Sequence, residues 1–192
     1  MQRLEVSVDH LIMLNGKPIT NVASNNVKTG HNACTSVVLY NSGKSFKTVE
    51  DIVAYVTSDS SKHSWSVIIG RDEDQLVQIN TLATVANHCR SSDAYRTVSV
   101  ILLNYGKLHC VKNTHFNMFK RKEADIFIHA GTPYHSYSKH QIHNLDRLVI
   151  ALNARYGISE VVCSKAIAGN HTPTPQIMLD RLNALCSMDD PV

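Results

Sequence analysis

"SSKHSWSVIIGRDEDQLVQI", residues 60–79, decides the fold class of this chain. It begins as a polar loop, continues as a short apolar run, crosses an acidic segment that follows a glycine, and ends in a second apolar run. Short β-rich runs on either side of such a turn are typical of consecutive strands. The stretch therefore predicts a strand, an acidic turn and a second strand.

The flanking sequence adds buried strands and amphipathic helices. Three more β-rich runs predict buried strands: "CTSVVLY" at 34–40, "TVSVILLNYG" at 97–106 and "SEVVC" at 159–163. Apolar residues at helical spacing predict one helix after Thr48 and a long helix between Ser138 and Gly157, with these residues as caps. A last helix is expected to begin at Thr174-Pro175 and to turn Ile177, Leu182 and Leu185 inward.

The first thirty residues carry their own signal. Asn15-Gly16 separates two apolar runs, which is the strongest short-range sign of a β-hairpin. We therefore predict a single α/β domain in which a central mixed sheet is flanked by helices and preceded by an N-terminal β-hairpin. The expected organisation is a hairpin and lead-in at 1–30 and the main domain at 31–192.

Composition excludes several classes of protein. The chain has 192 residues, 43% of them hydrophobic and 18% charged, and its net charge of +3 is too small to favour nucleic acid. No apolar run approaches the length of a membrane span. The five cysteines are odd in number and scattered, which indicates mostly free thiols in a reducing compartment. We expect a cytoplasmic protein.

The ordered motifs resemble one family, the zinc-dependent N-acetylmuramoyl-L-alanine amidases of the amidase-2, phage-lysozyme and peptidoglycan-recognition fold. Residues 60–79 resemble its segment "SxKxSAHxVIGRDGxxxQLV". "VVLYNSG" at 37–43 resembles "VIHYTAG", "ANHCRSS" at 86–92 resembles "AWHAGxS", and "TVSVILLNYGKL" at 97–108 resembles "SIGIELDNAGRL". Residues 137–162 resemble the long helix and strand before the family loop "GHxDIAPGRKTDPG", so that loop falls on "CSKAIAGNHTPTP". The resemblance covers nearly the whole chain.

The resemblance implies a catalytic zinc held by two His and a third ligand, with a Glu or Tyr for proton transfer. In this sequence the first His falls on Leu39, the second on Ser164 and the third ligand on Thr174. The catalytic Glu falls on Ile101, and the His of "SAH" falls on Ser66. Leu and Ile bind no zinc, and neutral hydroxyls are not its usual ligands. We therefore expect an amidase fold with no catalytic residues and no cofactor.

A neutral to basic cleft is expected in place of the zinc site, because carboxylates and metal have been lost together. Such a cleft suits a small anionic or amide-rich ligand, with His88 and His171 bonding an anion as imidazolium. Cys163 and His171 are weak candidates for a metal site, although a small buried cysteine is the commoner arrangement. The predicted ligand-binding residues are Tyr40, Asn41, Trp65, His88, Arg90, Lys165, Asn170 and His171.

Three functions remain open on this evidence. The first is a catalytically inactive binding protein, as expected of a phage or mobile element, that sequesters a nucleotide-like or cell-wall-derived ligand. The second is a peptidoglycan hydrolase with a rebuilt site that uses Cys163, His88 and His171. The third is a protein-binding inhibitor of a host or phage enzyme.

Overall fold

The computed structural model describes residues 3–89, 92–104, 126–129, 132–164 and 175–187. Over these ranges its centre is a mixed sheet of six strands in the order β13 (Glu160–Cys163), β6 (Ser36–Asn41), β10 (Thr97–Leu102), β7 (Val67–Ile69), β8 (Leu76–Ile79) and β4 (Thr20–Val22). Strands β13, β6, β10 and β7 are parallel to one another, whereas β8 returns antiparallel to β7, and β4 pairs with β8 in parallel. The predicted strand, acidic turn and strand at 60–79 are thus β7 and β8. The strands are β1 Leu4–Val6, β2 Ile12–Leu14, β3 Lys17–Pro18, β4 Thr20–Val22, β5 Val27–His31, β6 Ser36–Asn41, β7 Val67–Ile69, β8 Leu76–Ile79, β9 Thr84–Ala86, β10 Thr97–Leu102, β11 Ile126–His129, β12 Thr132–His135 and β13 Glu160–Cys163.

Within the described residues, three α-helices flank the sheet: α1 Val49–Thr57, α2 Lys139–Tyr156 and α3 Gln176–Cys186. The predicted caps are confirmed. The side chain of Thr48 accepts from the amide of Asp51, and Ser138 accepts from Gln141, each within a capping box. Gly157 ends α2 in the left-handed conformation at φ 65°, which glycine adopts without steric strain. In the described part of the chain, no helix combines the length and apolarity needed to cross a membrane.

The two faces of the sheet carry separate hydrophobic cores. Leu39 lies in the core under α2, and that helix contributes Leu145 and Leu152 to the same core. Tyr40 and Ile101 lie in the other core, which α1 covers with Val49, Ile52 and Val56. Successive residues of a strand point to opposite faces, so each long strand feeds both cores. The predicted α/β class with one domain and a central mixed sheet is confirmed.

The N-terminal hairpin forms at the predicted turn. Asn15 and Gly16 both have positive φ, 51° and 76°, which matches a two-residue hairpin turn. The side chain of Gln78, fully buried in β8, accepts from the amide of Ile12 at 2.7 Å and donates to the carbonyl of His10 at 2.9 Å. The lead-in also supplies β4 to the central sheet, so it is joined to the main domain at two places. The boundary at residue 30 stays a prediction.

One predicted inward residue is wrong. Ile177 is 80% exposed, whereas Met178 and Leu182 are buried and Leu185 is partly buried. Helix α3 begins at Gln176, with Pro175 as its N-cap, so the residues four apart that face the sheet are Met178 and Leu182. Thr174, which was expected to start this helix, lies outside the described residues.

Candidate functional site

The candidate site lies at the carboxyl ends of the parallel strands. Tyr40 and Asn41 end β6, and Ser164 directly follows β13, whose last residue pairs with Leu39. The amide of Ser164 donates to the carbonyl of Leu39 at 2.9 Å, which fixes the exit of β13 against β6. Ligands in open α/β sheets commonly sit at this end of the strands.

A buried chain of hydrogen bonds joins Tyr40, His88 and Thr97. The Tyr40 hydroxyl lies 2.8 Å from Nδ1 of His88, and the Thr97 hydroxyl lies 2.8 Å from Nε2. Thr97 donates its own proton to the carbonyl of Asp93 at 2.9 Å. Because the Thr97 hydroxyl proton is already donated to Asp93, Nε2 of His88 must donate to the Thr97 oxygen. Nδ1 of His88 then accepts from the Tyr40 hydroxyl. His88 is therefore neutral, with its proton on Nε2.

The charge state of His88 corrects one prediction. His88 is 5% exposed. The pKa of His88 is lowered to about 4, chiefly by burial and in part by Lys28, while Asp93 acts in the opposite direction. Both ring nitrogens are already bonded within the protein. The expectation that His88 bonds an anion as imidazolium is wrong, because a ring in this environment does not carry the charge near neutral pH.

Ser164 and Tyr40 meet on the same face of the sheet. Burial raises the pKa of Tyr40 to about 12, although a hydrogen bond from the Ser164 side chain lowers it and Cys89 raises it. Tyr40 is thus a neutral phenol that accepts from Ser164 and donates to His88. Each hydroxyl in this arrangement has a partner within the protein.

The structure places the residues matched to the first two zinc ligands on opposite faces of the sheet. Leu39 is fully buried under α2, whereas Ser164 contacts Tyr40 on the face that α1 covers. Two side chains on opposite faces of a sheet cannot bind one ion. Tyr40, in register with Ile101 of β10, is the β6 residue whose side chain lies on the same face as Ser164.

Ile101, the match to the catalytic glutamate, is 1% exposed and belongs to the core that α1 covers. A carboxylate at this position would be desolvated without a partner charge. Ser66, the match to another family histidine, is buried in β-sheet contact with Ser99, 3.2 Å between the two hydroxyls. The chemistry of these residues does not fit a zinc-activated water.

Trp65 lies in the core and does not line an open cleft floor. It is 5% exposed and packs among Tyr40, Phe46 and Tyr55, with ring centroids 6.3 to 6.4 Å apart. Its Nε1 has no hydrogen-bond partner in the described structure. This burial favours a packing role for Trp65 beside Tyr40, and its role as a ligand contact stays a prediction.

A second polar cluster, which sequence reasoning missed, surrounds Asn41. The hydroxyl of Tyr137 donates to Asn41 at 2.8 Å. Asn104, fully buried at the end of β10, donates to the carbonyl of His135 at 2.9 Å, and Arg71 contacts Nδ1 of His135 at 3.1 Å. These residues come from four separate segments and form no motif, so no local pattern could have identified them.

The cysteine-based alternatives receive no support from the described residues. Cys163 is partly exposed at the end of β13. His88 is not available to it as a base, because Tyr40 and Thr97 occupy both ring nitrogens. Over the described ranges, no three His, Cys, Asp or Glu residues are grouped closely enough to hold a metal. His171 lies outside those ranges, as do three more predicted ligand residues: Arg90, Lys165 and Asn170.

This arrangement of sheet and long helix is the fold of solved N-acetylmuramoyl-L-alanine amidases of the amidase-2 class. Solved structures similar to this chain include an endolysin mutant from Bacillus subtilis, with TM-score 0.53, 13% identity, 88% of this chain and 97% of that chain covered. The N-acetylmuramoyl-L-alanine amidase LysCS from Clostridium intestinale URNW matches with TM-score 0.50, 13% identity and coverage of 85% and 95%. AMPDH3 from Pseudomonas aeruginosa, in complex with anhydromuramic pentapeptide, matches with TM-score 0.53, 14% identity and coverage of 84% and 64%.

The fold predicted from the resemblance is thus confirmed. No protein-family model matches the chain. No curated protein matches its sequence either. At 13 to 14% identity, the similarity to these structures establishes the fold, and the chemistry has to be argued from the residues of this chain.

Proposed function

We propose that this chain is a binding protein on an amidase fold and does not hydrolyse peptidoglycan. The observation that carries the proposal is the hydrogen-bonded pair Tyr40–Ser164 at the strand-end position, beside Ile101. Neutral Ser164 and aliphatic Ile101 are matched to a metal ligand and to the proton carrier, and Tyr40, on the same face as Ser164, is a second neutral hydroxyl. This donor set suits polar binding better than Lewis-acid catalysis.

The electrostatics of Tyr40 support this proposal. A tyrosine binds a metal as phenolate, and burial raises the pKa of Tyr40 to about 12, so deprotonation near neutral pH is unfavourable. Zinc binding would also have to break the hydrogen bond to His88 and leave Nδ1 unpartnered in a buried position. Both effects oppose a metal at this position.

The proposed ligand is a small cell-wall-derived or anionic molecule that is bound at the carboxyl ends of β6, β10 and β13. Asn41 lies at this edge and supplies polar groups, while Arg90, Lys165, Asn170 and His171 remain proposed contacts. Anhydromuramic pentapeptide is bound to AMPDH3, a protein of the same fold, and is therefore the first probe. A sequestering role in a phage or mobile element is part of this proposal.

A metal-binding experiment tests the loss of catalysis. We expect the wild-type protein to bind no stoichiometric zinc and to release no stem peptide from peptidoglycan when zinc is added. The double variant Tyr40→His with Ser164→His should gain at least tenfold in zinc affinity by calorimetry, because two imidazoles then share one face. The matched control, Leu39→His with Ser164→His, should gain none.

Zinc-dependent amidase activity of the wild type would overturn the proposal. Equal zinc affinity of the two double variants would overturn the placement of Tyr40 on the same face as Ser164. These outcomes are separate, since the first measures turnover of the natural sequence and the second measures only geometry.

A titration with anhydromuramic pentapeptide tests binding. Charge-assisted contacts from Arg90 and Lys165 should make each substitution to Ala weaken the affinity by about tenfold. Lys62→Ala serves as control, because Lys62 is an exposed residue of another loop. If the pentapeptide does not bind, or if all three variants bind as the wild type does, the proposed cleft is wrong.

A further inference from the structure

The hydrogen-bond chain at the strand-end site has one direction. At its inner end, the carbonyl of Asp93 accepts from the Thr97 hydroxyl at 2.9 Å, and a carbonyl oxygen can only accept. Each hydroxyl carries a single proton, so this acceptor determines the donor at every following step. Nε2 of His88 donates to Thr97, and the Tyr40 hydroxyl donates to Nδ1 of His88. Ser164, which is partly exposed at the outer end, donates to Tyr40.

Both donors of Ser164 are therefore committed within the protein. Its hydroxyl proton goes to Tyr40, and its backbone N–H donates to the carbonyl of Leu39 at 2.9 Å. A hydroxyl oxygen also accepts hydrogen bonds through its lone pairs, so Ser164 can bond a ligand only as an acceptor. A group that only accepts, such as a carboxylate or a tertiary amide, gains no hydrogen bond from Ser164, whereas an N–H or O–H group does.

Two neighbouring hydroxyls have the same polarity. Tyr137 donates to Oδ1 of Asn41 at 2.8 Å. Ser42, the residue after β6, donates to the carbonyl of Asn104 at 3.1 Å. Ser42 is buried, whereas Tyr137 is partly exposed and, like Ser164, has its hydroxyl proton directed to a protein acceptor. The hydroxyls at this end of the sheet thus favour a ligand that supplies the protons.

We propose that Ser164 is a specificity-determining residue of the strand-end site, which accepts a hydrogen bond from an N–H or O–H group of the ligand. This inference rests on the proposed function and narrows it. The part of the ligand that contacts Ser164 is a hydrogen-bond donor, as in a peptide amide or a sugar hydroxyl, and an anionic group binds elsewhere in the cleft. An analogue that lacks the donor leaves the serine oxygen without this partner.

A matched pair of amides tests the polarity of Ser164. N-Methylacetamide and N,N-dimethylacetamide both have a carbonyl group, but only the first has an N–H. In an NMR titration that follows the backbone signal of Ser164, N-methylacetamide should bind at least about fivefold more tightly than N,N-dimethylacetamide. Equal affinities, or no saturable response to either amide, would overturn the proposal.

Variants at the two ends of β13 locate the effect. Ser164→Ala should abolish the difference between the amides, and should weaken the binding of anhydromuramic pentapeptide by about fivefold in calorimetry, because the acceptor is lost. The matched control is Ser159→Ala, at the other end of the strand, where the exposed Ser159 hydroxyl donates to the carbonyl of Thr35 at 3.0 Å. This control should respond as the wild type does. A Ser164→Ala variant that still distinguishes the amides would overturn the proposal.

The tautomer of His88 provides a test without any ligand. Nitrogen chemical shifts of the ring should show a proton on Nε2 and none on Nδ1. The opposite tautomer would reverse the chain and overturn the proposal.

Failure of the proposed function is a separate outcome. If the pentapeptide does not bind while the amides are distinguished, the proposed ligand is wrong and the acceptor role of Ser164 is supported. If the pentapeptide binds and the amides are not distinguished, this inference alone is overturned.

Discussion

The neutral state of His88 makes folding stability depend on pH in a defined window. Its pKa falls from 6.5 to about 4 on folding, so between these values the unfolded chain binds a proton that the folded chain does not. Stability is therefore fully present above about pH 6.5 and decreases as pH falls toward 4. The folding free energy lost over this interval is about 3 kcal/mol, because a shift of one pKa unit corresponds to about 1.4 kcal/mol.

The perturbation is His88→Gln, which removes the titration and keeps a side chain with one donor and one acceptor. Urea unfolding at about pH 7 and about pH 4 gives the change in unfolding free energy for each protein. We expect the wild type to lose about 3 kcal/mol more than the variant over this interval. His140→Gln, at an exposed position of α2, is the control and should keep the wild-type dependence.

Carboxylates also titrate in this range, but their contribution to the pH dependence is the same in variant and wild type and cancels in the comparison. An identical loss of stability in the wild type and in His88→Gln would refute the assignment of a neutral, doubly bonded His88. So would an NMR titration in which the His88 ring protonates near its unperturbed pKa.

Three further substitutions test contacts that position the site. Gln78→Ala removes two buried hydrogen bonds to the N-terminal segment, and we expect the unfolding free energy in urea to fall by about 3 kcal/mol. Gly70→Ala places a Cβ 2.2 Å from Oε1 and 2.4 Å from Cβ of Gln75, which is closer than these atoms can approach. The clash should lower the unfolding free energy by about 2 kcal/mol, seen as a lower thermal midpoint. Asn183 pairs through its amide with both the N–H and the C=O of Val161 on the outer edge of β13, so Asn183→Ala should speed hydrogen exchange at the Val161 amide by at least tenfold. Each contact would be contradicted by a wild-type result in its own variant: an unchanged unfolding free energy for Gln78→Ala, an unchanged thermal midpoint for Gly70→Ala, or unchanged exchange for Asn183→Ala.

Local features of the fold were predictable because their causes lie within a few residues. Asn15-Gly16 specifies a hairpin turn through the positive φ that both residues adopt. The caps at Ser138 and Gly157 bound α2 at its observed ends, because capping depends on side chains of one turn. Such signals need no knowledge of what the element packs against.

Contacts between distant segments were not predictable in this way. Gln78 in β8 bonds residues that are 66 and 68 positions earlier, and nothing in the sequence of β8 distinguishes it from an exposed glutamine. Nothing in the sequence around His88 distinguishes it from a surface-loop histidine, although Tyr40 and Thr97 enclose it in the fold. Its burial follows from the sheet order, which short patterns do not encode.

The opposite orientations of Leu39 and Ser164 could not be predicted from the sequence match for a different reason. A strand has a side-chain period of two, so a match that is displaced by one residue moves every assigned position to the opposite face of the sheet. Sequence similarity tolerates that displacement, whereas geometry does not: Leu39 lies under α2, and Ser164 contacts Tyr40. Tyr40, Ser164 and His88 form a connected set in which Ser164 donates to Tyr40 and Tyr40 donates to His88. Such a set satisfies each hydroxyl within the protein.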